Sequence, residues 1–358
     1  MQIINSPTQA MAPRWSADHL RLHQQLLRQP LLLPQGARLL LAVSGGQDSM
    51  ALAGLLLDLK RLHHWCLHIW HGNHRWRQEA NQQAEELLQW AESQGIESHC
   101  DSWQTPIHTE AAAREWRYSC LEKQAKALAC SHVLTAHTAT DRSETVLLHL
   151  ARGSHRKGLA SLSSERTLVE NITLVRPLLC FSRQDTSRIC AKLGLPIWLD
   201  PSNTDPRFSR NRIRTEVLPV LEQLHPGASR RIAAMAERFE AEAESQQQLL
   251  DLALQTLLGA DQKLKRRELM AIGQVNRELL LLNWLQRQGV EPLGVEQLNQ
   301  LWPQLEISRG ANQMELAKQQ ILSWNKHNLW LINPPLRWGD GGAGDYLPQC
   351  EQPPEPQA

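Results

Sequence analysis

The sequence predicts an α/β fold: a parallel sheet covered by helices on both faces, followed by a smaller all-α domain. Three observations carry this. Short apolar runs alternate with helical stretches at βαβ spacing as far as about residue 151. A Gly45-Gly46 pair falls where the first apolar run hands over to a helix. Past residue 220 Gly and Pro thin out, and Ala, Glu, Gln and Leu dominate from Arg230 to about Leu258.

The elements follow in order. Leu39-Leu40-Leu41-Ala42-Val43 is a continuous apolar run of the kind buried on both faces of a parallel sheet. Met50 to Leu57 continues as a helix, and Trp65 to Trp70 reads as a second strand. A helix over Gln78–Gln94 places Ala80, Ala84, Leu87, Leu88 and Ala91 at helical spacing, with Gly95 as its stop. A third strand is expected over Glu97–Trp103, and Thr109 caps a helix from Glu110 to about Ala129. His132 to Ala136 is strand-like and Asp141 to Ala151 helical. Later helices are expected near Lys265–Met270, Arg277–Arg287 and Val295–Leu301. The expected boundaries are residues 1–218 for the sheet domain and 219–335 for the helical domain, joined near Pro219 or Pro226. Residues 336–358, rich in Gly, Pro and Gln, are expected to be a disordered tail.

Composition narrows the function classes. The 358 residues suffice for two cores. A net charge of +1 rules out a broadly basic coat, so any nucleic-acid surface must come from local clusters. No run of about eighteen apolar residues predicts a transmembrane helix. Met1 to Pro13 lacks the basic leader and apolar core of a secretory signal, so the expected location is the cytoplasm. Seven scattered cysteines form no Cys-x-x-Cys and are expected to be reduced, all but Cys350 in packed segments. No zinc site is expected among the fifteen histidines, and most of the thirteen tryptophans are expected to be packing residues.

Residues Ser44-Gly45-Gly46-Gln47-Asp48-Ser49 carry the first chemistry. The glycines admit a ligand close to the backbone, the helix start offers N–H donors, and the serine hydroxyls add two more. Together they make an anion cradle. Asp48 would repel a bare phosphate, so its expected role is to hold a Mg²⁺ that the phosphates share. A strand–turn–helix corner that uses Gly-Gly for geometry alone is the plain alternative. No G-x-x-x-x-G-K-[ST] cradle occurs in the chain. The hexapeptide resembles the PP-loop of the ATP pyrophosphatase superfamily, which grips the β,γ-pyrophosphate of ATP.

A second cluster, Ala136-His137-Thr138-Ala139-Thr140-Asp141-Arg142-Ser143-Glu144-Thr145, follows a strand and opens a helix. Asp141 and Glu144 are three apart and share one face of the first turn. Carboxylates favour that position through the helix dipole alone. Beside the Ser44 loop, at one edge of one sheet, they could instead grip a cationic substrate or share the metal. His137 stands at the strand end, placed to accept a proton, to contact a nucleotide or simply to pack.

With these blocks the chain resembles the tRNA(Ile)-lysidine synthetase family. The resemblance rests on the Ser44 loop, the Ala-His-x-x-x-Asp-x-x-Glu-Thr block, and Arg152-Gly153-Ser154 with Gly158-Leu159. It extends to Glu110-x-x-x-Arg114-x-x-Arg117-Tyr118, Val175-Arg176-Pro177-Leu178-Leu179, Asp200-Pro201-Ser202-Asn203, and Arg210-Asn211-x-Ile213-Arg214. Order and spacing match over about residues 37–220. Two departures stand out: Thr140 occupies the first of two frequently acidic positions, and Asn73-His74-Arg75-Trp76-Arg77 fits the family's strand end only with a small insertion.

The resemblance implies an adenine nucleotide α-hydrolase-like fold and a ligase that turns the wobble cytidine of a CAU-anticodon tRNA(Ile) into lysidine. ATP adenylates cytosine O2 with release of pyrophosphate, and the ε-amine of L-lysine then displaces AMP at C2. It implies that Ser44, Gly45, Gly46, Gln47, Asp48 and Ser49 hold the pyrophosphate and Mg²⁺, that Asp141 and Glu144 bind lysine, and that Arg117 meets the α-phosphate. His137 joins these as a catalytic candidate. Arg152, Asn203, Arg210 and Arg214 are candidates for tRNA binding, the arginines as phosphate contacts within the clusters Arg207, Arg210, Arg212, Arg214 and Arg152, Arg156, Lys157. Solvated charge is the plain reading of each cluster. A homodimer is left open. The rivals are a tRNA thiolase on the same ATP loop, which would want a cysteine pair, and a non-catalytic tRNA-binding adaptor.

Overall fold

Arg38–Ala42 forms β1, and its leucines show why it lies at the centre of a sheet. Leu39 and Leu41 pack on one face with Leu22, Met50, Leu55 and Ile189. Leu40 packs on the other with Trp70, Leu121, Val133 and Leu174. A strand buried on both faces needs apolar residues at consecutive positions, as this one has. The computed structural model describes residues 15–332 apart from 74, 76–78, 104–108, 155, 199–208, 307–309 and 317–319. His74, Asn203, Arg207 and the expected tail therefore lie outside the described residues.

The first compact unit is Met1–Glu244. Helix α1 (Ala17–Arg28), capped by Ser16, precedes β1 and had no counterpart among the expected elements. Then come α2 (Gln47–His63), β2 (Cys66–Asn73), α3 (Ala80–Ser93), β3 (Glu97–Ser102), α4 (Glu110–Ala127), β4 (His132–Leu134) and α5 (Ala139–Ala151). These match the expected strand and helix positions closely. A short helix α6 (Arg156–Leu159), the hairpin β5 (Glu165–Val169) and β6 (Ile172–Val175), and helix α7 (Arg183–Leu193) complete the layer. Helices α8 (Ser209–Arg212), a π-helical turn Ile213–Val217, α9 (Leu218–Leu224) and the long α10 (Ala228–Leu257) follow.

The six strands run in the order β3-β2-β1-β4-β6-β5. All neighbours are parallel except β5, which pairs antiparallel with β6 at one edge. The order reverses between β1 and β4, and such a switch point opens a crevice beyond the carboxyl ends of the strands.

The division between compact units falls inside α10, at Glu244, rather than at residue 218. The start of α10 is fastened to α5: Ser143 Oγ donates to the Ser229 carbonyl at 2.5 Å, and buried Arg142 reaches Glu240 at 2.6 Å. A composition change marks where helices become long, not where packing changes partner.

The second unit, Ser245–Ala358, corrects the all-α expectation. Beside α11 (Arg266–Met270), α12 (Gln274–Arg287) and α13 (Val295–Gln304) it holds an antiparallel sheet. Its strands β7 (Leu264–Lys265), β8 (Asn312–Glu315), β9 (Ile321–Trp324) and β10 (Asn328–Ile332) run in the order β7-β10-β9-β8. The strands are short, and Asn-Gln-Met-Glu in β8 lacks the alternation that marks a half-buried strand. The core gathers Leu281, Trp284, Leu301, Leu322, Trp324 and Leu329. Fully buried Arg266 donates to the carbonyls of Asn325 and Glu306, both at 2.7 Å, which satisfies loop backbone that the small core leaves dry.

The cysteine expectation also changes. Cys130 and Cys190 are buried and Cys120 and Cys180 half-buried, but Cys66 and Cys100 are exposed. The six described cysteines are free thiols. No helix of the described residues is long and apolar enough to cross a membrane.

Candidate active site

Three strand ends meet at the switch point, and each leads into a helix amino terminus. After β1 the chain turns through Gly45, whose φ of +82° is a left-handed conformation that glycine adopts without strain. A Cβ there would stand 3.0 Å from Trp198 Cε3, so the space is closed as well. Trp198 also donates its backbone N–H to the Gly45 carbonyl at 3.0 Å, which fixes the turn from the side. Ser49 Oγ donates to the Gly46 carbonyl at 2.8 Å and accepts from the Ser44 N–H at 3.2 Å. Ser44 Oγ lies 3.2 Å from Ser49 Oγ and accepts from the Gly46 N–H at 3.3 Å. The loop is held open by its own hydroxyls, and the first-turn N–H groups of α2 have no carbonyl one turn back to bond.

Asp48 stands on that first turn. Its Oδ1 accepts from Thr186 Oγ1 at 2.5 Å, and its Oδ2 lies 3.7 Å from an Arg183 guanidinium nitrogen. Burial raises the carboxyl above its ordinary value, and the charge of Asp141 raises it further. Gln47 Nε2 donates to the Arg183 carbonyl at 2.7 Å and to Thr186 Oγ1 at 2.8 Å. Thus α7, entered beyond β6 through the Ser182 capping box, docks its first turn on the loop.

The second cluster opens α5 beyond β4. Thr138 is the N-cap, and Asp141 Oδ2 accepts from its N–H and hydroxyl, both at 2.8 Å. Asp141 thus sits in the first turn, where the helix dipole favours a carboxylate, and also closes a capping box with Thr138. The other oxygen, Oδ1, meets Arg210 at 2.9 Å and Arg214 at 3.4 Å. Glu144, wholly buried, accepts from Arg210 Nε at 2.7 Å and from Arg214 Nε at 2.6 Å. Burial alone would raise the Asp141 carboxyl, but Arg210, His137, the Thr138 N–H and Arg214 outweigh it and hold it below the usual carboxylate range. His137 is pushed down to about 4 by burial, with Arg176 and Arg210 opposing its protonation. Its Nδ1 faces Thr135 Oγ1 at 3.0 Å.

The structure thus brings together Ser44 to Ser49, His137, Asp141, Glu144, Arg210 and Arg214. The two arginines sit on the acids, where the sequence placed them only among basic clusters. Arg117 is exposed on α4, and Arg152 is exposed at the carboxyl end of α5, away from the acids. Arg183, Thr186 and Trp198 were missed. The Ser182 to Asp185 capping box signals a helix start there, but nothing local says which loop it meets. Thr140, in place of an acid, accepts from the Arg183 N–H at 3.1 Å and so ties α5 to α7.

Comparison with known proteins agrees with this geometry. The PP-loop domain family matches residues 18–221. A tRNA(Ile)-lysidine synthase of Parasynechococcus marenigrum (strain WH8102) is 48% identical over 329 residues, spanning 90% of this chain and 97% of its own. One from Prochlorococcus marinus is 43% identical over 327 residues, spanning 89% and 97%. Among solved structures, the U34-tRNA thiolase NcsA from Methanococcus maripaludis, with its [4Fe-4S] cluster, shares the fold at a TM-score of 0.53. At 17% identity, over 62% of this chain and 79% of that one, it speaks for the fold alone. A glycine loop at the start of α2, an acid pair at the start of α5 and relatives matched over nearly their whole length lead to one conclusion: the chain belongs to the tRNA(Ile)-lysidine synthase family, and its first unit contains the ATP-using PP-loop domain.

Proposed function

We propose that this chain joins the ε-amine of L-lysine to C2 of the wobble cytidine, position 34, of a CAU-anticodon tRNA(Ile). The observation that carries the reading is the meeting of an open phosphate cradle and a buried acid pair at one switch point. Cytosine O2 attacks the α-phosphorus of ATP and pyrophosphate leaves, its charge received by the Ser44 hydroxyl and the first-turn N–H groups of α2, in a loop whose shape Ser49 holds through the Gly46 carbonyl. Lysine, in its free-amine form at the ε-nitrogen, then attacks C2, and the C2–O2 bond breaks with AMP as leaving group. The target base must be turned out of the anticodon stack to expose C2.

Asp48 fits a divalent cation. Its side chain is 18% exposed, its second oxygen has only a distant arginine partner among the described residues, and the adjoining Asp141 charge favours a further cation. Mg²⁺ held there would neutralise charge on the phosphates. Asp141 and Glu144 supply two negative charges for lysine's ammonium groups as it binds, and the ε-ammonium gives up a proton before the amine attacks. Arg210, which is 35% exposed, is the arginine freer to turn toward a tRNA phosphate as lysine enters. Neutral His137 has Nε2 available for the nucleotide or for a proton. Arg117 on α4 is the candidate for the α-phosphate, and Arg152 for tRNA backbone.

The test is incorporation of labelled lysine into unmodified CAU tRNA(Ile), with and without ATP. ATP-dependent label, lost when C34 is changed to U, is the expected result. Pyrophosphate release without lysine incorporation would retain the adenylation and overturn lysine as the nucleophile.

A further inference from the structure

At the other end of the sheet, near the amino ends of β2 and β3, three side chains share one face. His68 and Glu97 are partners across the ladder, and His99 follows two residues on. His68 Nδ1 lies 3.0 Å from Glu97 Oε2, and His99 Nε2 lies 3.2 Å from Glu97 Oε1. The ligand atoms of all three fall within 4.8 Å of one another. Metal–ligand bonds of about 2.0–2.1 Å in a tetrahedral site put neighbouring ligand atoms about 3.3 Å apart, close to both measured contacts.

A second observation concerns the rings. His68 Nδ1 and His99 Nε2 are both shielded from solvent and face Glu97 at ion-pair distance, in geometry poorly directed for a hydrogen bond. His68 is 3% exposed, so no bulk water compensates it. On its far side, His68 Nε2 lies 3.4 Å from Cys66 Sγ. In one tautomer Nδ1–H meets the Glu97 carboxylate; in the other, with the ring proton on Nε2, a bare Nδ1 lone pair faces an anionic oxygen. A cation between them resolves the clash, and a ligating histidine whose other nitrogen is fixed by a neighbour is the usual arrangement of such sites. The charge of Arg38, acting on this ring from β1, opposes any cation here, whereas the donor set of two imidazoles and one carboxylate favours a nitrogen-preferring metal over a hard oxygen-seeking one.

We propose that His68, Glu97 and His99 hold one zinc-class divalent ion, remote from the nucleotide loop, with the fourth position open to solvent past the half-exposed Glu97 and His99. The ion clamps edge strand β3 to β2. The expectation of no zinc site rested on local spacing, whereas strand pairing joins histidines 31 residues apart that no local spacing connects.

The test uses the untagged full-length chain, stripped with EDTA and titrated with Zn²⁺ against a chromophoric chelator, with Co²⁺ as a spectroscopic stand-in. One equivalent bound with a Kd of about 1 µM or tighter, undisturbed by excess Mg²⁺, is expected, together with intense visible Co²⁺ bands. Glu97→Gln and His99→Gln should each weaken binding at least about tenfold. Both side chains are partly exposed, so circular dichroism of the metal-free variants should match the parent. No bound equivalent in the parent chain, or binding unchanged in either variant, overturns the site.

Discussion

Arg214 holds Glu144 with two nitrogens, Nε at 2.6 Å from Oε1 and Nη2 at 2.8 Å from Oε2. A buried carboxylate so gripped has its charge set by its partners, and removing either side leaves the other uncompensated. Glu144→Gln keeps the shape and removes the charge. It should raise the KM for lysine at least about tenfold while the KM for ATP stays within about twofold. Equal effects on both substrates would assign Glu144 to the scaffold. Glu144→Ala should also cost about 3 kcal/mol in chemical denaturation, since two guanidiniums lose their anion.

Asp48→Asn separates function from stability. Pyrophosphate exchange should fall at least about a hundredfold, while tRNA affinity in filter binding stays near the parent value. Stability should move the other way. The folded-state carboxyl titrates above its ordinary 3.8, so ionising it costs the folded state. The variant should therefore melt higher at neutral pH, and the gain should vanish below pH 3.8. A variant that melts lower at pH 7 would show that Asp48 is chiefly structural.

Thr186 should matter to the nucleotide although it lies on a different helix. Thr186→Val removes the hydroxyl that donates to Asp48 and accepts from Gln47, while keeping its volume. A hydrogen bond to a charged group is worth about 1.5–3 kcal/mol, so the KM for ATP should rise at least about tenfold. Thr186→Ser should restore it. An unchanged KM in the valine variant would detach α7 from nucleotide binding.

His137 makes a prediction about acid. Its folded-state value near 4 lies below the ordinary 6.5, so it is neutral when folded, and the stability this gives is present above pH 6.5. That stability is lost as pH falls from 6.5 toward 4. Burial lowers His63, His71 and His132 as well, so they too withdraw stability as pH falls below 6.5. The comparison of parent with His137→Asn isolates the one contribution: the variant should lose less stability between pH 7 and pH 4. Parallel curves would place His137 in contact with water.

How much of this was legible depended on range. The Ser44 to Ser49 loop could be read because its needs are local: a left-handed turn at Gly45, donors at a helix start, an apolar strand before it. Asp141 and Glu144 could be read for the same reason, being three residues apart on a capped helix. Arg183 and Thr186 could not, because their fitness for Asp48 exists only once β6 pairs with β4. Arg210 and Arg214 carried a charge whose partner no spacing reveals, so phosphate and carboxylate were equally good destinations. In the second unit, β8 and β7 are too short and too polar to show a period, and only their antiparallel partners make them strands.

The bond between Asp48 and Thr186 spans 138 residues of chain, and this has a consequence in time. During synthesis at about 5–20 residues per second, the glycine turn leaves the ribosome roughly 7–28 s before the residue that secures its carboxylate. Arg214, which answers Glu144, emerges later still. A nascent chain therefore lacks the partners of Asp48 and Glu144 until the segment carrying Arg214, beyond all three strand ends, has arrived. The contacts that hold Asp48 and Glu144 thus form late, between segments far apart in the chain.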